Sequence, residues 1–107
     1  MKTTTDAVKI IQNLVKDDRE MQQTIAKAYL NAKLGQLIYD TRQQAGLTHK
    51  QLADALGIEK SILEDLEKGD YDGDGLIILQ EIAKIINYSL KIELSSNESD
   101  TSLEITV

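Results

Sequence analysis

The amino-acid sequence predicts an all-α fold that ends in a short β element. Three observations lead to this prediction. Apolar residues recur at steps of three and four along most of the chain up to residue 86, which is typical of helices that bury one face. Capping residues and glycines divide this pattern into separate helices. From residue 89 onward apolar and polar residues alternate, as they do in strands.

The composition indicates a small single domain. The chain has 107 residues, of which 41% are hydrophobic, and its only aromatic residues are four tyrosines, so the core must be mainly aliphatic. No apolar run approaches the roughly 18 residues of a membrane span, and the first residues lack the apolar stretch of a signal peptide. There is no cysteine for a disulfide or a thiolate metal site. We therefore expect a cytoplasmic protein.

Residues 1–33 are predicted to form an N-terminal helical extension. Thr5 and Asp6 can cap a first short helix that runs to about Lys16. Its apolar residues, at helical spacing, are Val8, Ile11, Leu14 and Val15. This stripe belongs to the core or to a dimer interface, or alternatively it holds a partner protein.

A long second helix is predicted from Arg19 to Gln44. Acidic residues at Asp17 and Asp18 favour its positively polarised N-terminus. Gly35 is a weak point at which the helix could bend or split, and Gly46 ends it in the position expected of a C-terminal glycine.

Three shorter helices are predicted at residues 48–56, 59–68 and 76–86. Thr48 and Gln51 form a capping box at the start of the first of them. Gly57 and Gly69 end the first two, and a polar, glycine-rich loop precedes the third.

The tail, residues 89–107, is predicted to form a β-strand or a hairpin. Leu90, Ile92 and Leu94 lie on one side of a first alternating segment, and residues 103–107 alternate again. Two strands alone are marginally stable in water. A hairpin would thus need support from a partner or from the helices, and the alternative is a disordered tail after about Ser95.

The strongest pattern lies in residues 48–69, where two short helices cross around a tight turn. Such a crossing needs a small residue where the helices touch, which Ala53 supplies, and a turn residue that tolerates positive φ, which Gly57 supplies. The aliphatic residues that would face the core are Leu52, Leu56, Ile58, Leu63 and Leu66.

Here the chain resembles the Xre family of helix-turn-helix proteins, which includes the phage Cro and CI repressors. Ala45-Gly46-Leu47-Thr48 followed by Gln51-Leu52-Ala53 matches the family's opening, Glu67-Lys68-Gly69 its closing, and residues 79–84 its last helix. Residues 90–94 are similar to the strand of HigA-like antitoxins. The resemblance implies a five-helix, lambda repressor-like helix-turn-helix domain at residues 34–88.

The same resemblance implies a DNA-binding surface. Residues 59–68 would be the recognition helix in the major groove, and the start of the preceding helix would meet phosphate. Lys60 and Ser61 would read base edges and Ile62 would touch a thymine methyl group. The candidate DNA-contacting residues are Arg42, Thr48, His49, Lys50, Glu59, Lys60, Ser61 and Ile62.

The charge of this helix departs from the family pattern. Four carboxylates, those of Glu59, Glu64, Asp65 and Glu67, face only two lysines, and the net charge of the chain is −6. Carboxylates close to phosphate repel it, whereas an acidic protein suits a basic protein partner. Binding to operator DNA as a homodimer and use as a protein-binding scaffold with weak or no DNA binding both remain open.

Residues 70–81 also satisfy the pattern of an EF-hand calcium loop. Acidic residues fall at loop positions 1, 3, 5 and 12, with Gly75 at position 6. We favour a simple polar loop in which Asp74 caps the next helix, because there is no second loop to pair with and the helix should begin near Leu76. No metal or cofactor is expected, and a calcium switch is the least favoured hypothesis.

The sequence thus predicts a transcription regulator rather than an enzyme. No nucleophile–base pair is recognisable, since Ser61 has no histidine nearby in sequence. The HigA-like resemblance implies the antitoxin of a type II toxin–antitoxin pair, which would regulate its own operon and neutralise a RelE/HigB-like toxin. A homodimer on a palindromic operator is expected.

Overall fold

The computed structural model describes Lys9 and residues 18–107. This part of the chain contains four helices followed by a two-stranded antiparallel sheet. The elements are α1 (Arg19–Gln44), α2 (His49–Leu56), α3 (Lys60–Lys68), α4 (Gly75–Ile85), β1 (Lys91–Ser95) and β2 (Ser102–Thr106). The predicted first helix, residues 5–16, lies outside the described residues apart from Lys9. The all-α prediction with a terminal hairpin is confirmed for the part described.

The prediction of a five-helix domain is wrong, since residues 34–88 contain four helices. α4 ends at Ile85, and two residues later Asn87 has a left-handed φ of 61°, which cannot continue a right-handed helix. The Tyr88 N–H then donates to the Ala83 carbonyl at 2.7 Å. The last helix of the resemblance, residues 79–84, is thus α4, and α1 passes through Gly35 without splitting, so this range has no fifth helix.

The helix ends follow the local signals in the sequence. Thr48 and Gln51 form the predicted capping box, with each side chain accepting from the other residue's backbone N–H. Gly57 and Gly69 end α2 and α3 in the left-handed conformation. The Asp74 carboxylate accepts from the first-turn amides of α4, which confirms its prediction as the N-cap.

Gly35 does not interrupt α1, which is one helix from Arg19 to Gln44 and crosses the predicted domain boundary at residues 33 and 34. Gly35 is buried, and a Cβ at this position would lie 2.5 Å from the Leu66 carbonyl oxygen and 2.7 Å from that of Glu67. The glycine therefore marks the point at which α1 passes close to the backbone of α3.

The core lies between the second half of α1 and the three shorter helices. Its fully buried side chains are aliphatic, as the composition predicts: Ile38, Leu52, Leu63 and Ile82. No helix in the described ranges is long and apolar enough to cross a membrane.

The tail is a hairpin in which β1 pairs with β2. Ile92 lies opposite Ile105 and Leu94 opposite Leu103. Every residue of both strands is exposed. The hairpin therefore extends the chain without adding to the helical core.

Candidate nucleic-acid interface

The connection between α2 and α3 fixes the relative position of these two helices. Gly57 adopts φ 72° and ψ 28°, and the Ile58 N–H donates to the Ala53 carbonyl at 3.1 Å. Ala53 itself is buried, so a larger side chain at this position would push the helices apart. Leu52 and Leu63 are completely buried beneath the turn and secure each helix to α1 and α4.

The start of α3 points toward solvent. Glu59, Lys60 and Ser61 are all exposed, and within the described residues no ion pair engages the Lys60 ammonium group. The Ser61 hydroxyl lies 3.5 Å from a carboxylate oxygen of Glu59. Ile62 is half-buried and packs against the core, so only part of its side chain is available to a ligand.

The start of α2 contributes two further exposed groups. The Thr48 hydroxyl accepts the Gln51 N–H at 3.1 Å and keeps its own proton for donation to a phosphate oxygen. Lys50 pairs with Asp54 at 3.0 Å, but both side chains are largely exposed. Such surface pairs contribute little free energy, so the Lys50 ammonium group is free to exchange this partner for phosphate.

Arg42 lies inside the fold, whereas Thr48, Lys50 and Lys60 are exposed. Its Nε and Nη2 atoms donate to the two carboxylate oxygens of Glu67 at 2.7 and 3.1 Å, and its Nη1 atom donates to the Leu47 carbonyl at 2.9 Å. The side chains of Arg42 and Glu67 are only 6% and 7% exposed. Donation of these hydrogen bonds to the Glu67 carboxylate raises the pKa of the Arg42 guanidinium.

The same carboxylate also contacts His49, whose Nε2 atom lies 3.0 Å from it. We predicted that His49 contacts phosphate and that Glu67 is a surface charge of the recognition helix. The sequence did contain a signal for the burial of Glu67, because this residue follows the buried Leu63 by four positions and therefore lies on the same face of the helix.

A comparison with protein families matches residues 14–92 to a family described as a helix-turn-helix domain. The chain belongs to this helix-turn-helix family. The matched region contains all four described helices and the first residues of β1. No curated protein matches the chain significantly.

In this helix-turn-helix protein the burial of Glu67 changes the charge of the candidate interface. Three carboxylates of the α3 region still reach solvent, since Glu59 and Asp65 are exposed and Glu64 is partly exposed. Lys60 and Lys68 are exposed as well. The surface is still acidic on balance, but by one charge less than the sequence of the helix implies.

In the helix-turn-helix protein, the loop that matches the EF-hand pattern, residues 70–81, uses its third aspartate to cap α4. Asp74 uses a carboxylate oxygen to accept two backbone N–H groups of α4, and Glu81 lies exposed on that helix. In the described part of the chain, no group of three or more histidine or acidic side chains is placed so that it could hold a metal ion.

Proposed function

We propose that this protein is a DNA-binding transcription regulator in which α3 enters the major groove of an operator. The observation that carries the proposal is the exposed start of α3, whose position relative to α2 is fixed by the tight turn at Gly57 and by the buried Leu52 and Leu63. Helix-turn-helix proteins read base edges with the first residues of the recognition helix and contact phosphate with the preceding helix. The protein acts by binding and carries no catalytic activity.

The proposal assigns roles to the exposed groups. Lys60 donates to the acceptors of guanine, and Ser61 contacts a neighbouring base edge. Glu59 accepts from a cytosine amino group, which is the one base contact that suits a carboxylate. Thr48 and Lys50 bind phosphate and fix the register of α3 on the duplex.

Replacing Lys60 by alanine should weaken DNA binding about tenfold, since one good base contact contributes roughly 1–3 kcal/mol. The variant should also relax the preference for one base. The measurement is fluorescence anisotropy or gel shift with the DNA upstream of the protein's own gene, over a range of salt concentrations. Lys27→Ala, a change at an exposed lysine on the first half of α1, is the matched control. Equal affinities of the two variants would argue against a groove position for α3.

We further propose that the protein is a homodimeric, cytoplasmic antitoxin of the Xre-type, HigA-like branch, whose partner is a small basic toxin of the RelE/HigB kind. The support is the sequence resemblance together with the net charge of −6, which favours a basic partner. Gel shift with and without the product of the neighbouring gene tests this role. A toxin that neither binds the protein nor alters its DNA complex would count against it.

The acidic residues around α3 favour one alternative, a helix-turn-helix scaffold that binds a basic protein through this surface. Glu64→Gln separates the two functions because it removes one charge and keeps the shape of the side chain. If α3 binds DNA, the variant should bind about fivefold more tightly, since a like charge at close range costs about 1 kcal/mol in water. If α3 binds a basic protein, the variant should weaken that complex and leave DNA unaffected. Glu98→Gln, in the exposed hairpin loop, is the control.

A further inference from the structure

One side of the hairpin is entirely aliphatic. Ile92 and Ile105 form one cross-strand pair on this side, and Leu94 and Leu103 form the next. The Val107 N–H donates to the Leu90 carbonyl at 2.9 Å, which extends the same register by one pair. We call these six residues the hairpin face: Leu90, Ile92, Leu94, Leu103, Ile105 and Val107.

The exposure of the hairpin face increases with distance from the helices. Leu90 packs against the core, Ile92 is 38% exposed, and Leu94 and Leu103 at the far end are 73% and 70% exposed. The opposite side does not stabilise the pairing, because Glu93 lies directly across from Glu104. Since an isolated two-stranded sheet is marginally stable in water, the hairpin requires a cover over its aliphatic face.

An apolar groove lies beside the base of the hairpin. Residues of α1, α4 and the segment before β1 line it, among them Leu37, Thr41, Ile86, Tyr88 and Leu90. Its volume is about 120 Å³. Sites for cofactors and similar ligands usually enclose about 300–1,000 Å³, so this groove is suited to one or two aliphatic side chains.

The position of Leu90 makes the two surfaces self-complementary. Leu90 belongs to the hairpin face and also lines the groove, so a protruding and a recessed apolar surface adjoin on one side of the molecule. A two-fold axis between such surfaces brings the protrusion of each copy onto the recess of the other, which is the arrangement of an isologous dimer.

The available area agrees with a second copy as the occupant. The exposed part of the hairpin face amounts to roughly 500 Å², below the roughly 800 Å² that each partner buries in a standard interface. The exposed rim of the groove, Leu37 and Tyr88, supplies much of the remainder. The residues named for both surfaces carry no charged side chain, so the equal net charges of two copies oppose association only at long range, where salt screens them.

We propose that two copies of this chain associate through these surfaces, with the Leu94–Leu103 end of each hairpin seated in the groove of the other copy. This interface rests on the homodimer of the proposed function. It predicts that salt leaves the dimer intact or strengthens it, whereas DNA binding weakens with salt.

Disulfide trapping tests the reciprocal geometry, and the absence of cysteine from the chain removes any background. The double variant Leu37→Cys/Leu103→Cys should give covalent dimers under mild oxidation, in much higher yield than either single variant. Leu30→Cys/Leu103→Cys is the control, because Leu30 is more accessible than Leu37, at 64% against 48% exposure, but lies two turns earlier on α1, outside the groove. Equal trapping in both double variants would overturn the geometry.

Sedimentation tests the association itself. Leu94→Lys/Leu103→Lys changes two exposed side chains, so the helical fold should persist by circular dichroism while dimer affinity falls about 100-fold. A wild-type chain that is monomeric at all concentrations, or a variant that dimerises normally, would overturn the interface. A monomer that still shifts operator DNA overturns this interface and the proposed homodimer but leaves DNA binding standing, whereas a dimer that shifts none overturns only the proposed DNA binding.

Discussion

Glu67→Gln should destabilise the protein by about 3–5 kcal/mol, the cost of removing one partner from a buried ion pair. The substitution keeps the size of the side chain but removes the charge that faces the Arg42 guanidinium at 2.7 Å. That guanidinium is only 6% exposed, so water cannot replace the lost carboxylate. Because small domains have total stabilities of about 5–15 kcal/mol, the variant should unfold at much lower urea concentration than the wild type.

Two comparisons isolate the cause of that loss. Asp54→Asn breaks the exposed pair with Lys50 and should cost less than about 0.5 kcal/mol. Arg42→Met combined with Glu67→Leu removes both buried charges and should recover more than half of the loss, since apolar replacement of a buried pair is often nearly neutral. A Glu67→Gln variant as stable as Asp54→Asn would show that the buried pair contributes nothing.

Gly35→Ala should destabilise the protein by about 3 kcal/mol, although alanine is the better helix former by about 1 kcal/mol. The added methyl group would lie 2.5 Å from the Leu66 carbonyl oxygen, and this neighbour is backbone rather than a flexible side chain. α1 and α3 must therefore separate, which loosens the packing of Ile38 and Leu63. Thermal or urea unfolding measures the effect.

Gly46→Ala is the matched control for this substitution. Gly46 lies just after the end of α1. A Cβ there meets nothing within 4 Å, and only its φ of 72° opposes alanine. The expected cost is about 1–2 kcal/mol. If Gly35→Ala were the milder of the two, the close approach of α1 to α3 would be contradicted.

The effects of Gly35→Ala and Glu67→Gln on stability should not be additive. Gly35 lies against the backbone of Glu67, so a shift of α3 away from α1 moves the Glu67 carboxylate relative to Arg42. Residues in direct contact commonly show coupling of about 0.5–3 kcal/mol in double-mutant cycles. The double variant Gly35→Ala/Glu67→Gln should accordingly lose less stability than the sum of the single losses.

The sequence by itself determined the order and ends of the described helices and the crossing of α2 and α3. These features depend on local chemistry: the Thr48–Gln51 capping box, the left-handed glycines at positions 57 and 69, and the Asp74 cap act within a few residues of their own position. The change from helical periodicity to alternation likewise placed the start of the β element, because the spacing of apolar residues sets which face each element presents. The pairing of two strands into a hairpin was left open.

Only the tertiary structure decided which charged residues pair with each other and which small residue lies where two helices approach closely. Arg42 and Glu67 are 25 positions apart, and nothing local to either residue indicates that they pair. Gly35 has the sequence signature of a weak point in a helix. In the structure it allows α1 and α3, which are far apart in sequence, to approach closely. The hairpin face and the groove adjoin at Leu90, which belongs to both. The sequence pattern of an element shows only which faces that element has. Contacts between elements depend on how the elements pack against each other.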